Sequence, residues 1–359
     1  MNNNPLSVLG IMSGSSLDGL DLAICRFSKK NGNWLFNFVD GKTIPYSAEW
    51  KVILEKAPDL DGQHLKDLDA KYGKFIAEQV MKYLSEVNID VDMISSHGHT
   101  IYHQPEKGIT MQIGSGAEIS AITSLTTICD FRSTDVALGG QGAPLVPVGD
   151  ELLFNQYDYC LNLGGFANIS FSNAGQRIAF DICPVNTVLN RLAQQMGQQY
   201  DHDGNTGRTG QTDKDLLEKL NALPYYRREA PKSLGKEWLI HEFSPVIDHS
   251  SIPINNKIRT VYEHIAYQIS RIPKKDKNIF ITGGGAHNKF LIEMIRKFSK
   301  ADCILPESNI IDYKEAIIFA FLGLLRVHGE INCLASVTGA SRDSCCGAVY
   351  LGINRTVTK

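Results

Sequence analysis

Gly10-Ile11-Met12-Ser13-Gly14-Ser15-Ser16-Leu17-Asp18-Gly19-Leu20-Asp21 lies between two apolar runs, residues 8–9 and 22–27. The pattern is strand, tight turn, strand. Gly14 and Gly19 permit backbone geometries closed to bulkier residues. Successive N–H groups in such a turn can cradle an anion, and the hydroxyls of Ser13, Ser15 and Ser16 add donors. Asp18 and Asp21 add carboxylates, which point to a phosphate held together with a cation such as Mg²⁺. An ordinary hairpin turn accounts for the same residues, since Gly, Ser and Asp are turn formers.

The opening recurs. Residues 159–163 read as a strand, Gly164-Gly165 as a tight turn, and 167–171 and 177–181 as two further strands. Both halves therefore start alike, which predicts a duplicated α/β fold whose halves each supply one phosphate loop. Between them, residues 138–147 carry three glycines and two prolines. This segment reads as a loop, a hinge or linker between lobes. The expected division is residues 1–140 and 141–359, with the C-terminal helix returning to the first lobe.

Around these landmarks the pattern is regular. Apolar residues recur at helical spacing from Leu65 to Val87. Short strands at 93–96 and 126–130 end in Ser96-His97-Gly98-His99-Thr100 and Asp130-Phe131-Arg132-Ser133, and ligands of α/β sheets collect at such strand ends. Residues 185–196 read as a helix with Pro184 in its first position, and 200–211 as a flexible polar loop. A helix at 257–271 precedes a buried strand at 279–282, which runs into Gly283-Gly284-Gly285. Residues 312–328 form a buried helix.

The chain has 359 residues, 43% of them hydrophobic, and a net charge of −3. That length supports more than one lobe. The mixed charge favours neither nucleic acid nor a charged membrane surface. No apolar run approaches the roughly 20 residues of a membrane span. Residues 1–10 lack the features of a signal peptide. The eight cysteines form no CxxC pair and read as reduced, which fits a cytoplasmic protein. No GxxxxGK[ST] loop is present.

Several residues could carry chemistry. Gly283, Gly284 and Gly285 let a flat ligand lie against backbone beside a helix N-terminus, or simply make a tight turn. Asp181 ends an apolar strand, placed as a general base or as an N-cap. Glu315 stands at the mouth of a buried helix, where sugar hydroxyls or the helix dipole would satisfy it. Arg132 offers a planar fork to a carboxylate, or an internal ion pair with Asp130 or Asp135. His97, His99 and His103 suit hydrogen bonding to a polar ligand better than zinc, since no carboxylate or Cys ligand lies in the same run.

MSGSSLDGLD at residues 12–21 resembles the MSGTSxDGxD signature of the anhydro-N-acetylmuramic acid kinase family. SSHGHT, DFRSTDVALGGQGAPLVP, LNLGGFANIS, APKSLGKEW, ITGGGAHN, DYKEAIIFA and SVTGASR have counterparts there in the same order, so the resemblance runs from about residue 10 to 350. It implies the two-lobed, duplicated α/β fold of the sugar kinase, Hsp70 and actin-like ATPases. It also implies that Mg-ATP and water open 1,6-anhydro-N-acetylmuramic acid while O6 is phosphorylated, in peptidoglycan recycling. Asp181 matches the family's base. His97, Arg132 and Glu315 match its sugar-site positions. Ser13, Gly14, Ser15, Ser16, Leu17, Asp18 and Gly19 match the first phosphate loop, with Asp18 as the candidate metal ligand. Asn162, Gly164 and Gly165 match the second loop, and Gly283, Gly284 and Gly285 the adenosine turn. A homodimer is implied by the resemblance alone. Cys183 and Val185 stand where the family pattern has glycine, which implies a tighter or reshaped pocket, and His99 replaces a glutamine. A kinase for another sugar and a nucleotide-dependent switch protein are the alternatives.

Overall fold

The computed structural model describes residues 5–14 and 17–353. The chain divides into two compact units, Met1–Leu153 with Tyr313–Lys359, and Phe154–Asp312. The helix Ser308–His328 thus belongs to the first unit from Tyr313 onward.

The first unit is built on β1 (Leu6–Ser13), β2 (Gly19–Lys30), β3 (Asn33–Pro45), β4 (Met93–Ser96) and β7 (Thr126–Cys129), with β5 (His99–Gln104) and β6 (Ile109–Ile113) as a separate hairpin. Its sheet runs β3-β2-β1-β4-β7, and the strand Ala348–Tyr350 adds to the β7 edge. β1, β2 and β3 are antiparallel neighbours, whereas β1, β4 and β7 run parallel. The second unit contains β8 (Tyr159–Leu163), β9 (Phe166–Asn173), β10 (Gln176–Pro184), β11 (Asn278–Thr282) and β12 (Asp302–Ile304) in the order β10-β9-β8-β11-β12. Its pairings repeat those of the first: two antiparallel, then two parallel. The same five-strand topology therefore occurs twice, as the duplicated α/β reading expects.

Packing in the first unit follows from side-chain size. The helix Ser308–His328 crosses β1 so closely that a Cβ on Gly10 would lie 1.9 Å from the Ala316 carbonyl oxygen. Ala316 and Ala320 are fully buried at this crossing, and only small residues allow the approach. The helix Gly62–Val87 starts where the Asp61 carboxylate accepts the His64 N–H (3.0 Å) and ends at Asn88 in a left-handed conformation. Leu65, Leu68, Tyr72, Ile76, Val80 and Tyr83 form its buried face. In the second unit, Leu161, Leu163 and Ile169 of the sheet pack with Val188, Leu192, Ile258, Val261 and Ile265 of two helices.

Four expectations change. Residues 138–147 are not a linker, because both flanks lie in the first unit. Asp135 accepts from Gly140 N–H through its backbone oxygen (2.9 Å) and from Gly142 N–H through Oδ2 (2.7 Å), and Gln141 N–H donates to Thr338 O (2.8 Å). The division accordingly moves from residue 140 to 153. Residues 200–211 are ordered, with a 3₁₀ turn His202–Gly204 and a short helix Asn205–Thr209. The Asp201 carboxylate organises them, accepting Thr206 N–H (2.8 Å), Gly207 N–H (3.0 Å) and the Tyr262 hydroxyl (3.0 Å). Pro184 closes β10, and the helix begins at Asn186 instead. Cys183 and Val185 are fully buried in the hydrophobic core of the second unit, so the two glycine replacements fill its interior. None of the eight cysteines, all among the described residues, forms a disulfide.

Candidate active site

In the first unit, two strand ends and a buried helix carry the three expected sugar-site residues. β4 ends at Ser96, and His97 follows, 5% exposed. Its Nδ1–H donates to Gly98 O (2.8 Å), which leaves Nε2 to accept from Arg132 Nε (3.1 Å) and Nη2 (2.8 Å). Burial and the Arg132 charge hold its pKa well below the ordinary histidine value, so the ring is neutral. Arg132 follows β7 and donates through Nη1 to Gly142 O (2.6 Å). The expected ion pair with Asp130 or Asp135 does not form. Asp130 instead accepts the Ser133 hydroxyl (2.6 Å) and Asp135 holds the 140–142 backbone. A guanidinium has five N–H donors, so one on each Nη remains for a ligand. Burial lowers the Arg132 pKa to about 10, opposed by Glu315 and Cys333.

Glu315 lies on the buried helix. Burial raises its carboxyl above the usual range and Asp21 adds to this, while Lys314 and Arg132 pull it down. The neighbouring Lys314 is itself committed to Asp150, 2.7 Å away, with both side chains 5% exposed. His97, Arg132 and Glu315 thus share one electrostatic neighbourhood. His99 adds to the lowering of the His97 pKa, while its own Nδ1 meets Ser13 Oγ (2.9 Å) and burial lowers its pKa to about 4. His103 pairs with Thr110 Oγ1 (3.2 Å).

The β1–β2 turn is placed differently from the reading of its hydroxyls. Ser13 is 2% exposed and its Oγ also meets the Tyr46 hydroxyl (2.7 Å), so this side chain serves the interior. Leu17 N–H donates to Gly14 O (3.4 Å), and Asp18 O accepts Tyr46 N–H (3.3 Å), leaving the Asp18 side chain exposed. Asp21 accepts the Thr43 hydroxyl (2.6 Å). Ser15 and Ser16 lie outside the described residues. Among the described residues no cluster of three His, Cys, Asp or Glu could hold a metal ion on its own.

In the second unit, Asp181 sits on β10 at a register shift. Its N–H donates to Lys232 O (3.2 Å), its Oδ2 accepts Leu234 N–H (2.9 Å), and its backbone oxygen accepts the Tyr225 hydroxyl (2.6 Å). Oδ1 takes no hydrogen bond among the described residues. Burial raises the carboxyl pKa against the pull of the Leu234 N–H. The N-cap alternative falls, because the following helix starts five residues on.

The Gly164-Gly165 turn is bound to that helix start. Gly165 O accepts Val185 N–H (2.8 Å) and Thr187 N–H (3.3 Å), and Gly164 O accepts Asn186 N–H (3.3 Å). The three glycines after β11 have three separate reasons. Gly283 has φ 83°, and a Cβ there would lie 2.4 Å from Asn162 Oδ1. At Gly285 it would lie 2.8 Å from Leu163 Cβ. At Gly284 the nearest atom is 3.9 Å away, so its bare Cα faces a cavity of about 410 Å³. Asn186, Tyr200, His202, Tyr262 and His287 line the same cavity. Tyr200, Asp201 and His202, which line it too, lie in a segment whose polar, Gly-rich sequence reads as a flexible loop. The aspartate five residues before Thr206 was the available signal.

The anhydro-N-acetylmuramic acid kinase family profile matches residues 6–352. This chain belongs to that family. Proteins named anhydro-N-acetylmuramic acid kinase include one from Aliivibrio fischeri, 34% identical over 364 residues, covering 95% of this chain and 98% of that protein. The one from Francisella tularensis subsp. novicida is 35% identical, covering 92% and 95%. The one from Gloeobacter violaceus is 32% identical over 375 residues, covering 97% and 99%. As a member of this kinase family the chain is a phosphotransferase that uses ATP. Among its described residues, no helix is long and apolar enough to cross a membrane.

Proposed function

We propose that this kinase opens 1,6-anhydro-N-acetylmuramic acid with water and phosphorylates the released O6, giving N-acetylmuramic acid 6-phosphate for peptidoglycan recycling. The observation that carries the reading is Asp181, a carboxylate fixed through Oδ2 and open at Oδ1 in a chain of this family. Its raised proton affinity suits a general base.

Asp181 takes a proton from water as the water oxygen bonds to the anomeric carbon and the C1–O6 bond breaks. Leu234 N–H and the Tyr225 hydroxyl keep that carboxylate and its strand in place. The two remaining N–H groups of Arg132 and the Glu315 carboxylate bind polar groups of the sugar. Neutral His97 holds Arg132 in orientation without adding a competing charge. ATP supplies the phosphoryl group that O6 takes up. The bare Cα of Gly284 beside its cavity fits a nucleoside, and any side chain there would intrude on it. Gly14, Leu17 and Gly19, with Asn162, Gly164 and Gly165, are the proposed phosphate neighbours. The exposed Asp18 carboxylate is the group offered to Mg²⁺.

Asp181→Asn keeps the shape and removes the base. The expected result is loss of sugar phosphorylation by about 10³-fold, within the range for a missing general base, with nucleotide affinity unchanged by titration calorimetry. Undiminished transfer would remove Asp181 from this role.

A further inference from the structure

Asp135 is fully buried and makes no ion pair with a cation among the described residues. Its carboxylate instead collects donors from two distant segments. Oδ2 accepts Gly142 N–H (2.7 Å), while Oδ1 accepts the Thr338 hydroxyl (2.7 Å) and the Cys333 thiol (3.1 Å). A Cβ on Gly140 would lie 2.2 Å from Oδ2, so the loop wraps tightly around this carboxylate. Gly142, pinned by its N–H, turns its carbonyl oxygen to Arg132 Nη1 (2.6 Å). The other edge of the same guanidinium rests on His97 Nε2.

We infer that Asp135 is a positioning residue for Arg132, acting through Gly142 and locked by the Thr338 hydroxyl. A guanidinium on a flexible stem has many rotamers. Two fixed acceptors on two of its edges select one, and the carboxylate fixes the acceptor that belongs to a loop. Without Asp135 the Gly142 N–H would be a buried donor lacking its partner, and the loop would shift to satisfy it. Neither His97 nor Asp135 needs to touch the substrate for this effect. The consequence for catalysis rests on the proposed role of Arg132 as a sugar contact.

The test uses Thr338→Val, which removes one hydroxyl at nearly constant shape, Thr338→Ser, which restores it, and Asp135→Asn. Two readouts are taken. The first is the ¹⁵N resonance of His97 Nε2 in histidine-labelled protein without substrate. The second is the split between KM for 1,6-anhydro-N-acetylmuramic acid and kcat. We expect Thr338→Val to move the His97 Nε2 resonance towards that of an unbonded imidazole nitrogen. We expect it to raise KM roughly fivefold, with kcat within about twofold, on the scale of one weakened hydrogen bond. Thr338→Ser should return both to the wild-type values. A resonance that stays put in Thr338→Val, even with a lower unfolding midpoint, overturns the positioning role whatever the kinetics do. A moved resonance with unchanged KM leaves the positioning intact and overturns Arg132 as the sugar contact. If the wild-type protein does not turn over this sugar, the proposed function fails and the resonance alone decides the positioning.

Discussion

β4 and β11 occupy the same place in their two sheets, yet one runs into Ser96-His97-Gly98 and the other into Gly283-Gly284-Gly285. The first presents a side chain and the second presents bare backbone. After β4, an imidazole is seated by a hydrogen bond to the next residue and becomes the rest for a guanidinium. After β11, two glycines let backbone segments meet and the third leaves a flat surface. One topology thus yields two kinds of surface. In the side-chain kind, polar atoms are fixed by buried partners. The backbone kind is flat because nothing projects from it at Gly284. Asp181 follows the same division: the loop around Arg132 is held by a carboxylate, whereas the Asp181 carboxylate is held by a backbone N–H.

The sharpest way to break this comparison lies in the second unit. Gly283→Ala combines a positive φ with a contact at 2.4 Å, and should destabilise the protein by about 3 kcal/mol in urea unfolding. Gly284→Ala meets nothing closer than 3.9 Å, so stability should stay within about 0.5 kcal/mol while ATP affinity falls about tenfold. Equal effects of the two substitutions on both quantities would contradict separate roles for the neighbouring glycines.

Acid sharpens the contrast. The first unit buries two neutral imidazoles, His97 and His99, and the second buries His264. Burial lowers the pKa of His97 well below the ordinary value, that of His99 to about 4 and that of His264 to about 3. In each case the folded pKa lies below the unfolded value of about 6.5, so the unfolded chain binds more protons below that pH. Stability therefore falls as pH drops from about 6.5 towards 4, by up to about 1.4 kcal/mol per pH unit for each such group. Asp181 and Glu315, with raised pKa values, act in the opposite sense as pH rises past their unfolded values. Hydrogen exchange should find β4 losing protection at a higher pH than β11. The reverse order would mean that the imidazoles do not govern the acid response.

Much of this was legible because it is local. The apolar runs flanking Gly10–Asp21 and Gly164–Gly165 mark hairpins, and their recurrence marks the duplication. The glycine turn after residue 282 was visible as well, whereas Asp181, which reads as the end of its strand, lies inside β10, and the strand runs on to Pro184. What the sequence hid depends on distant partners. Asp135 looked like an ion-pair partner for Arg132 three residues before it, yet its bonds run to Gly142, Cys333 and Thr338. That closure turns an apparent hinge into a packed loop and moves the unit boundary. Ser13 looked like a phosphate donor, but Tyr46 and His99 take its hydroxyl into the interior. Glycine and serine announce a turn and say nothing about which way each side chain faces.

The central claim is that ether opening by water and phosphoryl transfer occur in one reaction. Its direct test is mass spectrometry of the product formed from 1,6-anhydro-N-acetylmuramic acid and Mg-ATP by the wild-type protein in ¹⁸O-labelled water. A phosphorylated amino sugar carrying one labelled oxygen, retained on the sugar after the phosphate is removed, is the result expected. A phosphorylated sugar without the label, or ATP hydrolysis that leaves the sugar untouched, would contradict the account.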